Sequence, residues 1–304
     1  GPATAAAALF AAHPLHTEVV GNVVGQGELL AAGWGILALI LALDGERSGW
    51  SARRTAGVLG AFTAALLSKE HAVVVLLLFP ILVLARGGTH ALLRESTGRA
   101  LVLLAGILIL YLSLRHAILG GISGDLMHAA WRGESASARW LTMLAAVPTV
   151  VRLYLWPAHL QADYSPRELV IEHTLSGPAL IGVGLVLGLC ALAYGARRQP
   201  AIVAGLAWVV VAFLPAANLI LPTGVILAER TLFLPSVGAG LVAGGMAAWI
   251  GNRFEPQSGA RLTLGAMVLV LVLAGTVRSA VRLPDWRDNQ TLFSRTLRDA
   301  PESY

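Results

Sequence analysis

Four polar or ionisable side chains follow one another where an apolar run ends: His13, His16, Thr17 and Glu18, in the segment Phe10-Ala-Ala-His-Pro-Leu-His-Thr-Glu18. Glu28 opens the next apolar run. Ionisable groups at the mouths of membrane-length apolar segments are costly to place and mark candidate sites. Glu18 and Glu28 flank a loop without Lys or Arg, and such carboxylates can handle an acceptor hydroxyl or a sugar. Ordinary solvation at a membrane surface is the plainer alternative. Cations come from elsewhere. Lys69, in Ser68-Lys-Glu70, can neutralise a phosphate. Arg230, in Ala228-Glu-Arg230, can grip one with a planar fork. Their plain counterparts are a Lys69–Glu70 ion pair and a snorkelling Arg230. Asp163-Tyr164 lies in a loop, where Asp also serves turns.

His13 and His16 do not read as a metal pair. Pro14 keeps His13 out of regular helix, so the two lack the i, i+4 face of helical metal sites. No dense carboxylate or Cys cluster supports ligation, and no metal residue is assigned. The imidazoles are expected to hydrogen-bond backbone and carboxylates and to shape the loop. No glycine-rich phosphate loop is visible.

The elements that must position these residues are membrane helices. Of the 304 residues, 56% are hydrophobic and 13% charged, and mean hydropathy is +0.72. Soluble chains carry about 25% charged residues. The apolar runs are continuous, not alternating, which predicts an all-α integral membrane fold. The net charge of +5 comes mostly from Arg in short loops. That is the positive-inside bias, not nucleic-acid binding. The lone Cys190 leaves no disulfide framework. Abundant Ala, Gly and Arg with scarce Lys point to a bacterial source, hence an inner (plasma) membrane.

About nine spans are expected. Residues 1–12 read as the last part of a span whose start is missing. Spans follow at 28–44, 100–114, 177–195, 200–214, 231–250 and 262–281. The stretch 55–86 is broken by Ser68-Lys-Glu-His71 and reads as a hairpin with the polar knot outside, since a charge pair in mid-bilayer is costly. Residues 140–157 contain Pro148, Arg152 and Pro157 and are expected to re-enter or lie flat. One long helix at 55–86 with a true crossing at 140–157 satisfies parity equally, and loop charge does not decide. The chosen topology puts 13–27, Ser123, Ser165 and the C-terminal tail on the outer face. Arg278, Arg282, Arg287, Arg295 and Arg298 argue the other way for the tail. The spacing of Trp286, Leu292-Phe293, Leu297 and Ala300-Pro301 predicts a final helix, either a juxtamembrane amphipathic one or the first of a helical repeat.

Several segments in this order resemble one family. They are His13-Pro-x-His-Thr-Glu18, Ser68-Lys-Glu70, Leu155-Trp-Pro157 leading to Ala162-Asp-Tyr-Ser165, Phe213-Leu-Pro-Ala-x-Asn218, and Ala228-Glu-Arg-x-Leu-Phe-Leu-Pro-Ser236. Together they are similar to the transmembrane and tetratricopeptide-repeat O-mannosyltransferases, a branch of the integral-membrane GT-C glycosyltransferases. Gly25-Gln-Gly-Glu28 departs from the family's Gly-Arg-Ala-Asp/Glu, and Phe233 stands where Tyr is usual.

The resemblance implies a GT-C-like transmembrane domain over 1–281, with a juxtamembrane segment and a first tetratricopeptide-repeat helix over 282–304. It implies transfer of a sugar, mannose, from a polyprenyl-phosphate donor to a protein Ser/Thr or other hydroxyl at the outer (periplasmic) face. Membrane lipid, the lipid-linked donor and a protein acceptor recruited by the repeats are the implied partners, with room for a divalent metal. Glu18 and Glu28 are the catalytic candidates in this chain, while the family's main general base lies in a loop before residue 1. His13, His16, Lys69, Glu70, Asp163, Tyr164, Glu229 and Arg230 are the substrate-binding candidates, Glu229 being expected to orient Arg230. His13, His16, Glu18, Glu28, Lys69, Asp163 and Arg230 are expected around one outside-facing cavity, because each lies at an outer end in the topology above. A secondary transporter and a non-catalytic anchor for a repeat domain are the alternatives. Broken segments suit a transporter, but no inverted repeat is visible.

Overall fold

The computed structural model describes residues 1–120, 131–162, 164, 168–254 and 259–301, so Ser123, Asp163 and Ser165 lie outside the described residues. Those described form helices and short turns, with no strand. The helices are α1 (Pro2–Ala11), α2 (Thr17–Gly21), α3 (Gln26–Ser48), α4 (Ala52–Ser68), α5 (Val75–Leu92), α6 (Glu95–Leu119), α7 (Ala136–Leu155), α8 (Gly177–Gly195), α9 (Pro200–Phe213), α10 (Phe233–Gly251), α11 (Gly259–Arg282) and α12 (Asn289–Asp299).

Local chemistry sets the ends. Ser51, Ser135, Ser176 and Asp288 cap α4, α7, α8 and α12 by accepting from backbone N–H groups of the first turn. Gly120 closes α6 in the left-handed conformation at φ 71°. Among the described residues, six stretches are long and apolar enough to cross a membrane: Val23–Ser48, Glu70–Leu92, Glu95–Leu119, Gly177–Gly195, Glu229–Gly251 and Gly259–Trp286. The other three of the expected spans are shorter helices, α1, α4 and α9.

Contacts at the helix ends fix the up-and-down order. α3 begins with Glu28 beside Lys69 at the end of α4, 3.8 Å apart. It finishes with Asp44 against Arg54 at the start of α4 (2.6 Å) and Glu46 against Arg94, which precedes α6 (2.7 Å). The hairpin expected over 55–86 therefore forms. α4 stops at Ser68, Lys69 is extended (φ −160°, ψ 136°), and α5 returns. These helices enclose the main core, which includes Leu39, Phe62, Leu66, Leu78, Phe79 and Leu104. α9 and α10 pack closely through small residues, as membrane helices do. A Cβ on Gly205 would lie 2.7 Å from the Gly238 carbonyl oxygen.

α7 does not run between the two ends of the bundle. Near its start, Trp140 Nε1 donates to the Leu219 carbonyl (2.9 Å), and Thr142 Oγ1 accepts from Glu172 N (2.9 Å). In its last turn Tyr154 donates its hydroxyl to the Leu232 carbonyl (3.0 Å). Leu219 and Leu232 belong to the α9–α10 connection, and Glu172 lies just before α8, so both parts of α7 meet the same end of the molecule. The tail returns there too. Gln161 Nε2 donates to the Asp299 carbonyl of α12 (2.9 Å). Three of the five arginines that argued for the opposite side are bonded inward: Arg278 to the Ala158 carbonyl (2.8 Å), Arg282 to Glu229 (3.0 Å) and Arg295 to Asp285 (3.1 Å), while Arg287 and Arg298 are exposed. Charge bias reads cations left free in loops, and those three are not free.

Candidate functional site

The α1–α3 connection is built on two neutral imidazoles. His13 precedes Pro14 and is extended (φ −70°, ψ 125°). Its Nδ1 accepts from Leu15 N at 3.3 Å, so the proton sits on Nε2, which donates to the Tyr154 carbonyl at 3.1 Å. His16 packs between Phe10 and Phe233, at centroid distances of 4.6 and 4.8 Å. Ser236 gives its hydroxyl proton to the Phe233 carbonyl and accepts from His16 Nε2 at 2.8 Å. Burial lowers the pKa of His13, while burial and then the neighbouring His13 lower that of His16 to about 3. The expected backbone bond is present at His13. The expected carboxylate partner is not: His16 uses a serine hydroxyl, because its ring is enclosed by aromatic walls. No group of three His, Cys, Asp or Glu able to hold a metal occurs among the described residues.

Beside the imidazoles lies a buried quartet of two carboxylates and two guanidiniums. Glu18 is 1% exposed. Its Oε1 accepts from Arg230 Nη1 at 2.6 Å and its Oε2 from Arg230 backbone N at 2.9 Å. Burial pushes the Glu18 carboxyl above its ordinary pKa, against the opposing pull of Arg230. Glu229 faces elsewhere. Its Oε2 takes Arg282 Nη2 at 3.0 Å, and its Oε1 takes Gln161 N at 2.7 Å and the Tyr164 hydroxyl at 2.9 Å. Burial, and then the charge of Glu229, push the Tyr164 phenol upward. The expectation that Glu229 orients Arg230 is therefore corrected. Adjacent side chains in the 3₁₀ turn Glu229–Leu232 diverge, and Arg230 is oriented by Glu18 instead. The four formal charges cancel. Arg230 is the member with solvent access, its side chain 21% exposed against 5% for Arg282. Its other guanidinium donors have no acceptor among the described residues.

A second knot sits where α3 starts and α4 ends. Glu28 Oε2 meets His71 Nδ1 at 3.2 Å, and Lys69 Nζ is 3.8 Å from Oε1. Glu28 Oε1 is buried without a hydrogen-bond partner. The Lys69–Glu70 pair anticipated as the plain alternative does not form. The extended backbone at Lys69 turns it toward Glu28, and Glu70 is left exposed.

The structure thus brings His13, His16, Glu18, Glu28, Lys69, Glu70, Tyr164, Glu229 and Arg230 to one end of the bundle. There they form separate networks, not a single ring of side chains. A tight approach joins the two carboxylates' segments: a Cβ on Gly25 would lie 2.9 Å from the Glu18 carbonyl. Asp163 lies outside the described residues. Arg282, Gln161, His71 and Ser236 are partners the sequence did not assign. Pro and Trp follow Arg282 in Arg-Leu-Pro-Asp-Trp286, but nothing there signals a buried guanidinium.

No family model and no solved structure matches the chain. Curated relatives do. Human protein O-mannosyl-transferase TMTC4 is 26% identical over 97% of this chain and 44% of its own length. Mouse protein O-mannosyl-transferase TMTC3 is 27% identical over 96% of this chain and 35% of its own. Drosophila melanogaster protein O-mannosyl-transferase Tmtc2 is 32% identical over 64% of this chain and 22% of its own. The chain spans less than half the length of these relatives. Across nearly its whole length the chain is thus similar to proteins named protein O-mannosyl-transferases of the TMTC group.

Proposed function

We propose that this chain is the membrane part of a glycosyltransferase that moves mannose from a polyprenyl-phosphate donor to a protein hydroxyl at the outer face of the membrane. The observation that carries the reading is Arg230: a guanidinium clamped by a buried carboxylate, with donors still unused, at the end of the bundle where the other candidates gather. The names of the relatives supply the sugar and the acceptor class.

In such a transfer the bond between the sugar carbon and the phosphate oxygen breaks, and negative charge grows on the departing phosphate. Arg230 meets that charge with its planar fork, and Lys69 adds a second cation. The acceptor hydroxyl attacks the sugar carbon and gives its proton to a carboxylate. Glu18 is committed to Arg230 through both oxygens and acts as the clamp. Glu28 keeps one oxygen free and is this chain's candidate to take the proton. His13 and His16 position the loop. Tyr164 and Glu229 fix the neighbouring connections. α12 is the first helix of a repeat domain that brings the protein acceptor, in keeping with its strongly amphipathic sequence and with Phe293 and Leu297 more than half exposed.

The test uses purified full-length protein with a labelled polyprenyl-phosphate mannose and a Ser/Thr-rich protein acceptor. Labelled sugar on the protein, with stoichiometric release of polyprenyl phosphate, is the expected result. Movement of an intact solute into proteoliposomes with no sugar transfer would instead establish a transporter.

A further inference from the structure

The end of the bundle opposite the two glutamate networks holds a cleft of about 490 Å³, walled by Ile40, Leu43, Asp44, Arg47, Ser48 and Arg86. Arg47 stands in the last turn of α3. Arg86 immediately precedes Gly87-Gly88, where Gly88 at φ 66° breaks α5. Asp44, the acidic group of the cleft, is already engaged. Arg54 Nη2 lies 2.6 Å from its Oδ2, and Ser48 donates to its Oδ1 at 3.3 Å. Arg47 and Arg86 have no acceptor among the described residues. Two exposed guanidiniums therefore converge on one concavity with their donors unused. Leu43 forms an apolar floor, and Ile40, 57% exposed, extends the wall along the flank of a membrane-length helix.

We propose that this cleft binds an anionic phosphate group, with a phospholipid headgroup as its source. Arginine forks match phosphate oxygens in pairs. The apolar wall below them matches the start of an acyl chain, which a free phosphate would not need. The two helical runs that carry these arginines present C-terminal ends here, so recognition rests on the guanidinium side chains. Either arginine by itself would snorkel without needing a cleft. The convergence of two on a shared cavity beside an already neutralised aspartate is what points to a ligand. This site is independent of the transfer chemistry above.

Native mass spectrometry of the full-length chain in detergent tests it, with phosphatidylglycerol, phosphatidylcholine and inorganic phosphate as separate probes. Phosphatidylglycerol should form a saturable adduct, tighter than phosphatidylcholine. Arg47→Ala/Arg86→Ala should weaken it about 30-fold, the effect of two interfacial cations. Arg47→Lys/Arg86→Lys, which keeps the charge and guards against misfolding, should retain most of it. Millimolar inorganic phosphate that leaves the adduct intact supports a lipid source, whereas displacement assigns the cleft to free phosphate. Equal phosphatidylglycerol binding by the parent and by a folded double-alanine variant would overturn the proposal.

Discussion

Glu18 and Glu28 sit ten positions apart on either side of one loop, and their surroundings are opposite. Glu18 receives two hydrogen bonds, both from Arg230, and belongs to a network in which every carboxylate has a guanidinium. Glu28 is almost as buried, at 6% exposure, yet one oxygen has no hydrogen bond and its ammonium neighbour stands at 3.8 Å. A carboxylate satisfied on both oxygens is a structural clamp, since freeing it would strand a buried charge. A carboxylate left half satisfied bears a standing cost in the folded state and keeps a lone pair for a proton. Two residues of the same type thus divide into one with both oxygens hydrogen-bonded and one with an oxygen left over.

The division is broken most severely at its fully buried pair. Arg282→Ala leaves the buried Glu229 without its guanidinium, held only by Gln161 N and the Tyr164 hydroxyl. A loss of about 3–5 kcal/mol is expected, read as a large fall in the thermal midpoint of the detergent-solubilised protein. Glu18→Gln should come next. It keeps the shape but unbalances Arg230, for a loss of about 1–3 kcal/mol, and turnover should fall with it because the cation loses its clamp.

A pH titration sharpens the same contrast through His16. Its pKa falls from 6.5 to about 3 on folding, so the native state takes up its proton later than the unfolded chain. Its contribution is complete above pH 6.5 and is lost as pH falls toward 3. Between pH 7 and pH 5 that amounts to about 2 kcal/mol. Thermal midpoints measured at both pH values should show a smaller drop for His16→Gln than for the parent. An identical drop would mean that His16 is not held neutral. The smallest stability effect belongs to Glu28→Gln, within about 1 kcal/mol of the parent, while turnover falls roughly 100-fold or more. A large loss of stability with unchanged turnover would reverse the roles assigned to the two glutamates.

Helix positions were readable from the sequence because apolar runs and their interruptions are local signals. The break at Ser68-Lys-Glu-His71 and the irregularity of 140–157 were visible for that reason. The pairings were not. Lys69 looked like the partner of adjacent Glu70, but the extended backbone at Lys69 sends its side chain to Glu28, 41 positions away in sequence. Glu229 looked like the guide of Arg230, yet it pairs with Arg282, 53 positions away. Such choices are made by packing between helices, which residue spacing does not record. Arg282 was misread as a loop cation for the same reason, because nothing in its neighbours announces burial. The alternation of spans placed the candidates at one end of the bundle, whereas their sorting into networks depends on contacts between helices.

In the proposed function Arg230 is the cation that meets the departing phosphate. Its most direct test is the rate of polyprenyl-phosphate release from labelled donor by the full-length protein and its Arg230 variants. Arg230→Ala should lower turnover by roughly 100-fold or more, the scale seen when one charge-stabilising donor is lost. Arg230→Lys should recover only part of that, because an ammonium lacks the two-pronged geometry. An Arg230→Ala protein that folds normally and releases polyprenyl phosphate at the parent rate would contradict the account and leave Arg230 as a structural partner of Glu18.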